Sequence, residues 1–107
     1  MSTDDARRAI ASRAAMIAAA ADWIGHYDAV IVPSAPAEAP EGLGSTGDAS
    51  CCTLASLLGA PAITLPIGLG GNRLPLGMQL FASPGNDAKL LAIAAWCEAR
   101  LPFRGLV

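Results

Sequence analysis

The sequence has 107 residues, a net charge of −2 and a pI near 5.1; 53% of it is hydrophobic and only 15% charged. Lys89 is the only lysine and the arginines are scattered, so there is no basic stripe to hold a nucleic acid. The length fits one domain or part of one, and a soluble domain usually carries about 25% charge, so the deficit predicts a face that something else covers.

The first element predicted is a helix. Ser2 or Thr3 can cap it, Asp4 and Asp5 suit its positive end, and Ala6, Ile10, Ile17, Ala21 and Ile24 recur at helical spacing up to a stop at Gly25. Arg7, Arg8 and Arg13 before the apolar run Ala14 to Ala21 resemble a signal peptide only faintly, because Asp4 and Asp5 stand in front and Asp22 closes the run. Tyr27 to Val32 reads as a short strand, apolar on both faces and ended by Pro33, as in a covered sheet. From Pro33 to Gly47 the chain is a long loop of prolines and glycines, either mobile or held by something else. Asp48 or Ser50 can cap a second helix, which runs to Leu58 and closes at Gly59. Pro61 to Ile67 reads as a second strand ending near Pro66. A glycine-rich turn over Gly68 to Leu74 follows, then a third strand over Leu76 to Ala82 that can pair antiparallel with the second. The uncharged stretch Ala49 to Asn72 is long enough for a membrane span, but its glycines and prolines break a helix. Asp87 is expected to cap a last helix with Leu90, Leu91, Ala94, Cys97 and Leu101 on its apolar face, and Pro102 stops it. The expected fold is α/β in the order α-β-α-β-β-α.

Residues able to carry chemistry are few. Gly42 to Gly47 matches GxGxxG, but a dinucleotide fingerprint needs a strand directly before it, and a proline-rich loop stands there instead. His26, the only histidine, sits just past a helix end with no orienting group in sequence. Cys51 and Cys52 lie in the first turn of a helix, where the dipole favours a thiolate, yet apolar residues follow at once and small buried side chains are the simpler reading. Lys89 reads as a solvated charge. No Cys, His, Asp and Glu cluster has metal-ligand spacing. Three cysteines, two of them adjacent and with no CxxC pair, fit a reducing, cytoplasmic setting.

Six segments in order resemble the last part of the amidase signature family. They are Tyr27-Asp28 with the apolar strand and Pro33, Ala35 to Pro40, Gly44 to Asp48, Leu58 to Gly68, Leu74 to Leu80, and Asp87 to Leu91. The resemblance implies a single C-terminal amidase-like domain over residues 1–107, with a leading helix over 1–26 and the similar region over 27–107. It implies part of a mixed sheet flanked by helices, in a family that hydrolyses amide bonds with a Ser–cis-Ser–Lys triad. The glycine- and serine-rich signature that carries the nucleophile has no counterpart in this sequence. No residue is therefore assigned a catalytic, cofactor-binding or metal-binding role, no cofactor is expected, and the chain alone is expected not to be catalytic. Where relatives often have an aromatic residue and an asparagine, this chain has Cys51 and Cys52. The loop Ser34 to Asp48 would border a substrate channel. The partner expected is a missing N-terminal amidase portion, or a second copy if the chain is a stand-alone dimerisation module; neither nucleic acid nor membrane is expected.

Overall fold

The computed structural model describes residues 1–103. Six elements follow in the expected order: α1 (Thr3–Ile24), β1 (Val30–Pro33), α2 (Ser50–Leu58), β2 (Ala62–Leu69), β3 (Pro75–Phe81) and α3 (Asp87–Glu98). Ser2 caps α1 through a reciprocal pair of bonds. Its hydroxyl accepts the Asp5 N–H at 3.1 Å, and the Asp5 carboxylate accepts the Ser2 N–H at 3.1 Å. Gly59 ends α2 in the left-handed conformation (φ 66°), where a side chain would be strained.

Two helix starts differ from expectation. Ala49, not Asp48 or Ser50, is the cap residue of α2, and the Asp48 carboxylate takes the Ser50 N–H at 2.8 Å from one position further out. Asn86 precedes α3 without a side-chain bond, and Asp87 is already helical.

The three strands form one antiparallel sheet in the order β1-β3-β2. β1 is shorter than the strand expected over Tyr27 to Val32 and begins later. The Tyr27 N–H still bonds to Ile24 C=O as α1 unwinds, and Asp28 is drawn to Lys89 at 2.7 Å, so pairing begins only at Val30. Pro33 does not end the strand before pairing; it stands opposite Met78 at the edge. Pro66 does not end β2 either. The register slips between Pro66 and Gly68, so the residue without a ladder donor sits beside a bulge, and the strand continues to Leu69.

The register separates two faces. Val30, Phe81 and Ala62 share one, and Ile31, Leu80 and Ile63 the other. On the first face Phe81 packs with Ile24 and Ala20 of α1 and with Ala55 and Leu58 of α2. On the second, Leu80 and Leu65 pack with Leu90 and Ala94 of α3. Phe81, Ile24 and Leu80 are the largest fully buried side chains, each worth about 2 kcal/mol of burial. The Arg13 side chain donates to the Leu57 carbonyl at 2.8 Å, satisfying an acceptor that the end of α2 leaves open and tying α1 to α2.

The layers are thin. The chain exposes 7328 Å², where a closed monomer of its mass would expose about 5,500 Å². Its radius of gyration is 16.4 Å, against about 13 Å for a compact chain of this length. Ile31 on the edge strand β1 is 61% exposed, and Trp96 on the outer side of α3 is 60% exposed. Among the described residues β1 therefore lacks the two-sided cover expected of it, and Leu91 does not point inward. From Leu90 to Cys97 α3 is uncharged on every side, and a helix of that kind normally lies inside a larger body.

Candidate functional site

A half-open cavity of about 780 Å³ lies between the loop that follows β1 and one side of the β2–β3 pair. Its position follows from three local features. β1 ends in Pro33, which turns the chain away from the sheet after Ser34 has donated its N–H to Gly77 C=O at 3.0 Å. The loop then runs over the sheet instead of along it. Glu38 fastens it there: its carboxylate accepts the Asn72 N–H at 2.9 Å and the Leu74 N–H at 3.2 Å, both in the turn joining β2 to β3. A Cβ at Gly70 would collide with that carboxylate, so the turn is shaped to receive it. The loop expected to be either mobile or held is thus held, by a residue 34 positions before the turn it grips.

At the cavity floor the Ser34 hydroxyl donates to the Thr64 hydroxyl at 3.1 Å, across the position of Gly77. A Cβ on Gly77 would lie 2.6 Å from Ser34 Oγ and 2.7 Å from Thr64 Cγ2, so only glycine lets the two side chains meet over the central strand. The remaining walls are mostly apolar, with Pro36, Pro40, Pro66, Ile67 and Leu76 among them. Thr46, Gly47 and Asp48 close the far side, and Glu38 and Asp48 are the ionisable groups of the lining. Gln79, one step deeper along β3, is 5% exposed and donates from Nε2 to the Cys51 carbonyl at 2.9 Å. That bond holds the first turn of α2, which carries Asp48 at its entrance, against the sheet.

The residues singled out from sequence do not converge. His26 is exposed beyond the end of α1, and neither cysteine of α2 lines the cavity. Cys51 is half-buried; Cys52 is exposed, with its thiol donating to Ala49 C=O at 3.2 Å. Lys89 pairs with Asp28, and the hydrogen bond from Lys89, then its charge, holds the Asp28 carboxyl below its usual range. Of the GxGxxG stretch Thr46 and Gly47 border the cavity, and no strand stands directly before the motif. Among the described residues no group of three or more His, Cys, Asp and Glu side chains could hold a metal ion. No helix among them is long and apolar enough to cross a membrane.

Sequence reading passed over Ser34, Glu38, Thr64 and Gly77. The signal for Glu38 was present, as a lone charge in the proline- and alanine-rich run Pro33 to Pro40. Ser34 and Thr64 stand 30 residues apart, and nothing local joins them.

The α/β segment thus presents an apolar cavity with two hydroxyls at its floor. A family model described as Amidase matches residues 1–91, and the chain belongs to that family. It is similar to 2-amino-5-chloromuconic acid deaminase of Comamonas testosteroni, at 32% identity over 104 residues, covering 87% of this chain and 22% of that protein. It is also similar to the 6-aminohexanoate-cyclic-dimer hydrolase of Paenarthrobacter ureafaciens, at 31% identity over 100 residues, covering 76% of this chain and 20% of that one. A crystal structure of an amidase superposes with a TM-score of 0.82 at 32% identity, over 94% of this chain and 26% of its own. The chain therefore spans between 20% and 26% of the length of these relatives.

Proposed function

We propose that this chain is the C-terminal portion of an amide hydrolase that converts a carboxamide to a carboxylate, that it lacks the Ser–Ser–Lys triad of the family, and that it does not turn over substrate alone. The observation that carries the reading is the superposition of nearly the whole chain on about a quarter of an amidase. The cavity chemistry supports it. Acyl transfer needs a nucleophile, a base within reach of it and an oxyanion hole. The Ser34 and Thr64 hydroxyls bond to each other, and the ionisable groups of the lining are two carboxylates, of which Glu38 is spent on backbone amides. The partner is the remaining amidase portion, and it covers the exposed faces of β1 and α3. Three free cysteines favour a reducing, cytoplasmic setting.

The test is ammonia release from a panel of simple carboxamides. The chain alone is expected to give none, and the same chain joined to the upstream portion of a related amidase is expected to give turnover. Release by the purified chain alone refutes the claim of inactivity. A joined polypeptide that folds and releases nothing removes the hydrolase reading. One observation favours a dimerisation module instead: Ile31 and Trp96 leave apolar surface uncovered at the sheet edge and on α3. A well-behaved dimer in analytical ultracentrifugation would support that second reading.

A further inference from the structure

We propose that this cavity selects ligands with an apolar body and a protonated amine, and disfavours ligands with a carboxylate. The inference rests on the cavity bordering the substrate path of an amide hydrolase, and it names the class of substrate that wall admits. The volume, about 780 Å³, suits a small molecule, and proline, isoleucine and leucine side chains give it an apolar lining. Its charge is one-sided. Glu38 and Asp48 both line it, while no lysine, arginine or histidine does; Arg73, in the neighbouring turn, is outside the lining. The loop above adds Glu41 and no cation. The Ser34 and Thr64 hydroxyls share one hydrogen bond, which leaves the second proton of the pair for an amide carbonyl at the floor. An ammonium entering this half-open space meets the charge of two carboxylates, which keep it while accepting backbone N–H bonds, and a carboxylate meets the same two with no compensating charge in the lining.

The charge can be removed without removing the hydrogen bonds. Glu38→Gln keeps a carbonyl oxygen for Asn72 N–H and Leu74 N–H, and Asp48→Asn keeps one for Ser50 N–H. The experiment titrates the 107-residue chain with hexylammonium, hexanamide and hexanoate at low ionic strength and near-neutral pH, following backbone amides by NMR. Shifts are expected at Ser34, Gly47, Thr64 and Gly77. Hexylammonium is expected to bind about tenfold or more tightly than hexanoate, since one unit charge at about 4 Å is worth about fivefold even in bulk water and the two probes differ in sign. In the E38Q/D48N variant the three affinities should fall within about threefold of one another. The D48N variant alone, should the double variant lose amide dispersion, is expected to give about half the effect on a logarithmic scale. Equal binding of hexanoate and hexylammonium, a preference that survives the charge removal, shifts that map to another surface, or no binding by any probe would each overturn the proposal. Binding is read here without turnover. A failed titration therefore leaves the hydrolase reading standing, and an inactive joined enzyme leaves the charge selection standing.

Discussion

Gly77→Ala places one methyl group at the most crowded point of the cavity floor. The new Cβ would lie 2.6 Å from Ser34 Oγ, 2.7 Å from Thr64 Cγ2 and 3.0 Å from Ser34 Cβ. The Oγ can turn away, but the Ser34 Cβ is fixed by backbone that bonds to Gly77 itself, so β1 must shift or the hydroxyl pair must part. Overpacking of this kind costs about 1–3 kcal/mol. Against it, alanine narrows the unfolded ensemble and returns about 0.4–1 kcal/mol. The net expectation is destabilisation by about 0.5–2 kcal/mol, read as a lower urea midpoint at unchanged slope. In thermal unfolding each kcal/mol should lower Tm by about 4–8 °C for a domain of this size. Thr64→Ser keeps the hydroxyl and removes the methyl at 2.7 Å, so the double variant should recover part of the loss, with a coupling of about 0.5–1.5 kcal/mol. A Gly77→Ala protein as stable as the parent, or a cycle without coupling, would refute the account of the floor.

Glu38→Ala should release the loop from the turn without unfolding the sheet, so amide hydrogens of Asn72 and Leu74 are expected to exchange at least tenfold faster while that of Leu80 in β3 keeps its protection. Lys89→Met should raise the titration of the Asp28 carboxyl, because the bond and charge that lower it are gone. A lowered folded-state value means that the contribution is full above the unfolded carboxylate range and is lost as pH falls through the folded value. The parent's small stability advantage over Lys89→Met should therefore shrink below about pH 4, and an advantage that grew on acidification would contradict the pairing.

What could be read from sequence was what is decided within a few residues. The α1 cap at Ser2, one of the two residues expected for it, the Gly59 stop and the β2–β3 hairpin each depend on spacings of two to eight positions, and they stand where expected. The apolar run Ala29 to Val32 gave a strand, but its cover could not be deduced, because Ile31 faces outward from an edge that this chain does not close. Pro66 was misread because a bulge absorbs its missing donor. The cavity was illegible for a different reason. Residues 34, 38, 48, 64 and 77 meet only once β1 has paired with β3 and the loop has crossed back over the sheet. Of the family resemblance, the Leu74 to Leu80 segment now has a physical account: Gly77 makes room for two hydroxyls, and Gln79 holds α2.

The grip of Glu38 on the β2–β3 turn also fixes a sequence of events. Its two amide donors, on Asn72 and Leu74, point the same way only after the hairpin has closed, and the hairpin lies 34 residues downstream of the carboxylate. A nascent chain emerges with its loop before anything exists to catch it. The hollow beneath that loop consequently takes shape only after the hairpin has closed, and any mutation that delays hairpin closure lengthens the interval in which the prolines and alanines of residues 33–40 are on offer to other molecules.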